Sequence, residues 1–111
     1  MRIYIAGPMT GIADHNFPAF DRERDRLRAL GHEVVSPADM SRELDASAGV
    51  ASGSQVWETY MEADLIAIAS CEAVYLLPGW WHSRGAVIER NRAIALGLAV
   101  MEVVRAEEVM G

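Results

Sequence analysis

The 111-residue chain has the length of one ordinary domain, and because 51% of its residues are hydrophobic we expect a single core spanning residues 1–111. Ten arginines, no lysine and sixteen acidic residues give a net charge of −6, which excludes the broad positive field that attracts DNA or RNA. A small-molecule partner is therefore favoured over a polynucleotide. Since the chain is short for a sheet covered on both faces, we also expect a homodimer or a larger homo-oligomer.

The first part of the chain predicts two strands separated by a helix. A strand is indicated over residues 2–6, and the glycine-bearing loop 7–11 follows it. A helix is predicted over 16–30, because Asn16 is a good N-cap and a glycine follows the last turn. The residues of this helix expected to face the core are Phe20, Leu27 and Leu30. A second strand is predicted over 32–36.

Residues 37–53 have the weakest pattern, with one possible helical turn over 39–44 and then a run of small residues, so we interpret them as a mobile loop or lid. Regular periodicity then resumes. The predicted elements are a helix over 55–70, a strand over 72–77, a helix over 83–96 and a strand over 98–104.

This alternation of strands and helices predicts a Rossmann-like three-layer α/β sandwich with a parallel sheet of about four strands. Ligands bind such open sheets beyond the carboxyl ends of the strands. Here those ends carry the segment 7–11, the residues from 37 onward, and the segment 79–83. We expect the functional site to be formed from these three connections.

The compartment can also be inferred from the sequence. Cys71 is the only cysteine, which excludes an internal disulfide, and its apolar neighbours predict a packed residue in a reducing compartment. The chain begins directly with a strand-like segment, and no apolar stretch is long enough to span a bilayer. We therefore expect a cytoplasmic protein without a membrane partner.

Two acidic residues lie on helix stripes that are otherwise apolar. Glu89 shares a stripe with Ala86, Ala93 and Leu96, whereas Asp64 shares one with residues 57, 61 and 68. Two buried carboxyls near each other raise one pKa, which suits an acid and a nucleophile acting on one bond. The alternative is that Glu89 pairs with a neighbouring arginine, Arg90 or Arg92, and that Asp64 lies at the edge of its stripe.

The start of the last helix is a candidate anion site. Ser83 lies six residues before Glu89, about 9 Å along a helix axis, and a phosphate there would meet free backbone N–H groups. The alternative is a plain N-cap serine. Trp80 and Trp81 could stack on a base, or could equally fill the core or a subunit interface. The histidines expected to lie on the surface without a catalytic role are His15, His32 and His82.

No cofactor or metal is expected from the motifs. The loop 7–11 matches neither the dinucleotide-binding pattern nor the Walker pattern, and the chain has no cluster of cysteine and histidine. The partner expected from composition and motifs together is a small molecule.

Several motifs carry a family resemblance. Tyr4 lies in the first strand, Asp64 precedes the acidic residue Glu72 by eight positions, and residues 83–89 read Ser-Arg-Gly-Ala-Val-Ile-Glu. With the segments 3–11 and 31–37, these motifs resemble the nucleoside 2′-deoxyribosyltransferases and the 2′-deoxynucleoside 5′-phosphate N-hydrolases of the Rcl type. Within this superfamily, the chain resembles most of all a set of short phage and bacterial proteins.

The resemblance implies cleavage of the N-glycosidic bond of a nucleoside or nucleotide, by hydrolysis or by transfer to a second base. It implies that Glu89 is the nucleophile, that Asp64 assists departure of the base and that Tyr4 holds the sugar or Glu89. The residues expected to bind substrate are Gly7, Pro8, Met9, Thr10, Gly11, Trp80, Ser83, Arg84 and Gly85.

Some positions depart from the Rcl pattern. Pro8 and Thr10 replace a serine and an arginine that bind phosphate in those enzymes, and Pro37 replaces a histidine, so strong 5′-phosphate selectivity is not expected. The alternative function is a nucleotide-binding module that uses the same pocket without turnover.

Overall fold

Strands and helices alternate along residues 1–103, the part of the chain that the computed structural model describes. The elements are β1 (Arg2–Ala6), α1 (Phe17–Ala29), β2 (Glu33–Val35), α2 (Pro37–Ala48), α3 (Trp57–Ile68), β3 (Ala73–Leu76), α4 (Arg84–Ala95) and β4 (Ala99–Glu102), with short 3₁₀ turns at Ala13–Asn16 and Trp80–His82. Except in one segment, they lie within two residues of the predicted bounds. Residue 104, the predicted end of the last strand, lies outside the described residues. None of these described helices has both the length and the apolar content needed to cross a membrane.

The four strands form one parallel sheet in the order β2-β1-β3-β4. Side chains alternate across β1, so that Ile3 and Ile5 pack towards α1, whereas Tyr4 and Ala6 pack on the opposite face with residues of α3 and α4. After β1 the chain crosses to β2 at one edge of the sheet, and after β3 it crosses in the opposite direction to β4 at the other edge. Because parallel crossovers are right-handed, this reversal places helices on both faces. The predicted three-layer Rossmann-like fold is confirmed.

Residues 37–53 are not a loop throughout, since residues 37–48 form α2. The Ser36 hydroxyl accepts a hydrogen bond from the Ala38 N–H at 3.3 Å, Pro37 occupies the first turn, and Gly49 closes the helix with φ of 68°. The interpretation as a mobile loop was wrong because the buried face of this helix is small and polar. Its buried residues are Pro37, Ala38, Ser41 and Asp45, which leave no apolar periodicity to detect.

Two leucines expected to face the core are instead exposed. Leu30 has 63% of its surface accessible and Leu96 has 41%. Each is the C-cap residue just beyond its helix, so the helical register that predicts burial no longer applies there. Phe20 and Leu27, which lie within α1, are buried as predicted.

Candidate active site

The main cavity lies where the chain turns in opposite directions out of the sheet. The connection after β1 leads to α1 on one face, and the connection after β3 leads to α4 on the other, which is the position where open α/β sheets bind ligands. The cavity has a volume of about 860 Å³, within the size range of small-molecule sites. The predicted substrate-binding residues that line it are Gly7, Pro8, Met9, Thr10, Gly11, Ser83, Arg84 and Gly85.

A buried carboxyl pair lies in this cavity. Asp64 on α3 is 7% exposed and Glu89 on α4 is 4% exposed, and both line the cavity. The hydroxyl of Tyr4, fully buried in the central strand β1, donates a hydrogen bond to Glu89 Oε2 at 2.5 Å. Two adjacent helices and the sheet thus bring together residues that are distant in the chain.

The carboxyl pair is not explained by ion pairing. Across residues 1–103 no arginine forms a salt bridge with Asp64 or Glu89. Arg90, one of the neighbours considered, instead donates to Asn91 and lies 5.3 Å from the centre of the Trp80 ring. Burying carboxyls without a counter-ion is unfavourable for stability, so the arrangement points to a chemical role.

Burial sets the protonation of the pair. It raises the pKa of Asp64 from 3.8 to about 6, an effect that hydrogen bonding to Glu89 and Tyr4 partly opposes. The pKa of Glu89 is raised well above its usual value, first by burial and then by the negative charge of Asp64, while the Tyr4 hydroxyl acts in the opposite direction. Burial also keeps Tyr4 protonated by raising its pKa. The pair therefore retains a proton to higher pH than exposed carboxyls would.

The start of α4 both caps the helix and lines the cavity. The Ser83 hydroxyl oxygen accepts a hydrogen bond from the Ala86 N–H at 3.2 Å, so the N-cap interpretation is correct, yet its own hydrogen is left to donate. The Arg84 guanidinium stacks 4.4 Å from the centre of the Trp57 ring. A Cβ at Gly85 would lie 3.2 Å from the sulfur of Met61, so glycine permits the close approach of α3 and α4.

Comparison with known proteins places the chain in a family. Residues 1–102 match the family model described as a domain of unknown function, DUF4406. The chain belongs to the DUF4406 family. No curated protein matches it. The DUF4406 domain is similar to the solved structure of a 2-deoxyribosyltransferase from the psychrotolerant bacterium Bacillus psychrosaccharolyticus, with a TM-score of 0.69 and 19% sequence identity over 97% of this chain and 80% of that chain. This similarity shows a shared fold.

Trp80 of the DUF4406 domain does not line the cavity, contrary to expectation. Its ring packs against the core on the α3 and α4 face of the sheet, and its Nε1 donates to Glu102 at 2.6 Å. Trp81 is 57% exposed. The tryptophan that lines the cavity is Trp57, which the helical stripe of α3 had suggested was an ordinary core residue. Its position seven residues before Asp64, on the same stripe, was the available signal.

Other cavity residues of the DUF4406 domain were also missed, and some of them lie on connections. His15 and His82 are exposed as expected but also line the cavity, while His32 is only half-buried. A Cβ on Gly53 would lie 2.7 Å from His15 Nε2, so these two segments touch. Further lining residues that were not predicted include Gln55, which precedes α3, and Tyr60, which lies on α3. Within residues 1–103 no group of three or more His, Cys, Asp or Glu side chains is arranged to hold a metal ion.

Proposed function

We propose that this DUF4406 domain cleaves the N-glycosidic bond of a nucleoside or nucleoside 5′-monophosphate. The observation that carries the proposal is the buried Asp64 and Glu89 pair, with Tyr4 bonded to Glu89 and no cationic partner among residues 1–103, in a nucleoside-sized cavity. The shared fold with a 2-deoxyribosyltransferase supports the same chemistry. The proposal assigns the roles of nucleophile to Glu89, proton donor to Asp64 and positioning residue to Tyr4.

In the first step Glu89 attacks the anomeric carbon as the bond to the base breaks, through an oxocarbenium-like transition state. The electron pair of the broken bond leaves with the base, and Asp64 delivers to the base the proton that the carboxyl pair retains. The product is an ester between Glu89 and the sugar. Tyr4 donates to Glu89 and so favours its carboxylate form, which lets the retained proton pass from Glu89 to Asp64 for this step.

In the second step the ester is resolved at the same carbon. Water attacks the anomeric carbon and transfers a proton to Asp64, which frees Glu89 and gives hydrolysis. A nitrogen of a second base in the same position gives transfer instead. Both outcomes regenerate the singly protonated pair.

The proposal is tested with a panel of ribo- and deoxyribonucleosides and their 5′-monophosphates. We expect release of free base, detected by chromatography, from at least one compound, and an increase in melting temperature with the same compound. If a compound binds but no base is released at any pH between 5 and 8, the alternative function, a nucleotide-binding module, is favoured. If no compound of the panel is cleaved and none binds, both functions are overturned.

The 5′ end of the substrate is proposed to lie at the start of α4, where Ser83 and Arg84 can donate to a phosphate. Pro8 and Thr10 line the first loop without a charged group, so we expect deoxynucleoside monophosphates to be preferred over nucleosides by a small margin. A charge-assisted hydrogen bond contributes about 1.5–3 kcal/mol, so the arginine absent from the first loop accounts for the small margin, and Arg84→Ala should abolish the preference that remains.

The matched measurements use one deoxynucleoside with and without its phosphate. Ser83→Ala should reduce the preference, and Ser83→Asp, which retains an N-cap acceptor, should reverse it by repelling the anion. Arg90→Ala, on the same helix but outside the cavity lining, is the control and should change nothing. A strong preference of wild type for the free nucleoside would contradict this phosphate site. So would a phosphate preference that is unchanged in Ser83→Ala.

A further inference from the structure

A further buried carboxylate outside the catalytic pair, Asp45, organises the cavity wall between α2 and α3. It is 3% exposed, and its Oδ1 accepts hydrogen bonds from the Tyr60 hydroxyl at 2.7 Å and from Gln55 Nε2 at 3.0 Å. Its Oδ2 accepts one from the Gly53 N–H at 2.8 Å. The bond from Tyr60 is the main reason that the pKa of Asp45 is lowered. Asp45 is thus an anion held by neutral donors.

This network fixes the orientation of the Gln55 side chain. Gln55 Nε2 donates both to Asp45 Oδ1 and to the main-chain oxygen of Leu44, at 3.0 and 3.3 Å, so both amide hydrogens are committed. The main-chain N–H of Gln55 donates to the Tyr60 hydroxyl oxygen at 3.0 Å and holds the backbone. Two acceptors around Nε2 leave only one assignment of the amide, with Oε1 as the free acceptor.

The Oε1 atom of Gln55 remains available to a ligand. Within residues 1–103 no donor bonds to it, and it is not among the buried polar atoms that lack a partner, so solvent reaches it. Gln55 is half-buried and lines the same cavity as Asp64 and Glu89. A rigid acceptor of this kind is what a site uses to recognise an N–H group.

The position of Gln55 suits contact with the base. Helix α3 contacts both α2 and α4, and the cavity is lined by Gln55 on the α2 side of α3 and by Ser83 and Arg84 at the start of α4. Gln55 precedes α3, and seven residues of helix place Asp64 about 10 Å from the first residue of α3. In the proposed binding mode the sugar lies at Glu89 with its 5′ end towards Ser83, and we place the base on the α2 side, where Gln55 lies.

We propose that Gln55 determines base specificity, its side-chain oxygen accepting a hydrogen bond from an exocyclic amino or ring N–H group of the leaving base. This inference rests on the proposed function. Bases that present such a donor should be preferred over analogues that lack it, because the analogue leaves the Gln55 oxygen without a partner. Asp45 and Tyr60 are positioning residues that act through Gln55.

The test compares 2′-deoxyadenosine with purine 2′-deoxyriboside, which lacks the amino group, and thymidine with 3-methylthymidine, which lacks the ring N–H. Since the leaving groups differ in reactivity, the quantity of interest is the change in each kcat/KM ratio between wild type and variant. Gln55→Met should shrink the ratio of at least one pair about tenfold to a hundredfold. Tyr60→Phe should shrink the same ratio less, mainly through KM.

Ratios within one variant are independent of the folded fraction, so partial instability of Gln55→Met does not obscure the result. Glu62→Met, on an exposed position of α3 outside the cavity, is the matched control and should retain both wild-type ratios. Unchanged ratios in Gln55→Met, with base still released, would overturn the role of Gln55 and leave the proposed function intact. If wild type releases no base, calorimetric Kd values replace kcat/KM. A wild-type preference for bases with the donor group that is lost in Gln55→Met supports the contact. If wild type shows no such preference, the contact is overturned.

Discussion

Replacing Glu89 by glutamine is expected to abolish base release while the domain stays folded. Glutamine has nearly the same shape and can still accept the hydrogen bond from Tyr4, but its amide cannot form the ester with the sugar. We expect kcat to fall by about 10⁴-fold or more, as for loss of a nucleophile in other enzymes. Glu89→Ala should lose activity equally. Single-turnover release of base, with circular dichroism to check the fold, is the measurement.

A second buried glutamate provides the control for this prediction. Glu23 on α1 is 7% exposed, but it pairs with Arg26 and does not line the cavity. Glu23→Gln should therefore retain wild-type kcat. If Glu89→Gln keeps turnover within a factor of about ten, the nucleophile assignment is wrong. Loss of the fold in both Glu89 variants would instead show a structural role for that carboxyl.

Asp64→Asn is expected to stabilise the domain at neutral pH, although it should slow base release. Burial raises the pKa of Asp64 from 3.8 to about 6, so ionising this carboxyl in the folded state opposes folding by about 1–3 kcal/mol. Asparagine removes that penalty and the repulsion of Glu89. For a domain of this size the melting temperature should rise by about 5–20 °C at pH 7.5.

The pH dependence identifies the cause of the stabilisation. A carboxyl whose pKa is raised on folding binds more protons folded than unfolded between pH 3.8 and about 6, so its destabilising effect develops as the pH rises through this window. The gain from Asp64→Asn should be full above pH 6 and should vanish towards pH 4. Chemical denaturation at both ends of the range measures it. A gain that does not depend on pH would contradict this explanation.

Asp45 provides a matched buried aspartate whose ionisation is expected to have the opposite effect on stability. It is also buried, but hydrogen bonds from Tyr60, Gly53 and Gln55 lower its pKa. Its stabilising effect is present at neutral pH and is lost as the pH falls through its lowered pKa. Asp45→Asn should therefore lower the melting temperature at pH 7.5, where Asp64→Asn raises it. The same sign for both variants would refute the interpretation of either carboxyl.

The sequence by itself determined the order of the sheet-forming elements and the outlier positions of two acids. Strand and helix periods differ enough to separate residues 2–6 from residues 16–30, and right-handed crossovers leave few topologies for such an order. Asp64 and Glu89 were detectable because a carboxyl on an apolar stripe contradicts the local pattern. Ser83 was recognisable as an N-cap from its neighbours alone. The homo-oligomer stays a prediction from the shortness of the chain.

Only the tertiary structure decided which side chains are partners. Tyr4 and Glu89 are 85 residues apart, and their hydrogen bond exists because α4 packs on the face of β1 that carries Tyr4. Helix α2 escaped detection since its buried face includes polar residues, among them Asp45, that are satisfied by Gln55 and other residues of a later segment. Periodicity reports whether one element has a buried apolar side. It contains no information on the partners that distant segments supply, because those depend on how the helices pack over the sheet.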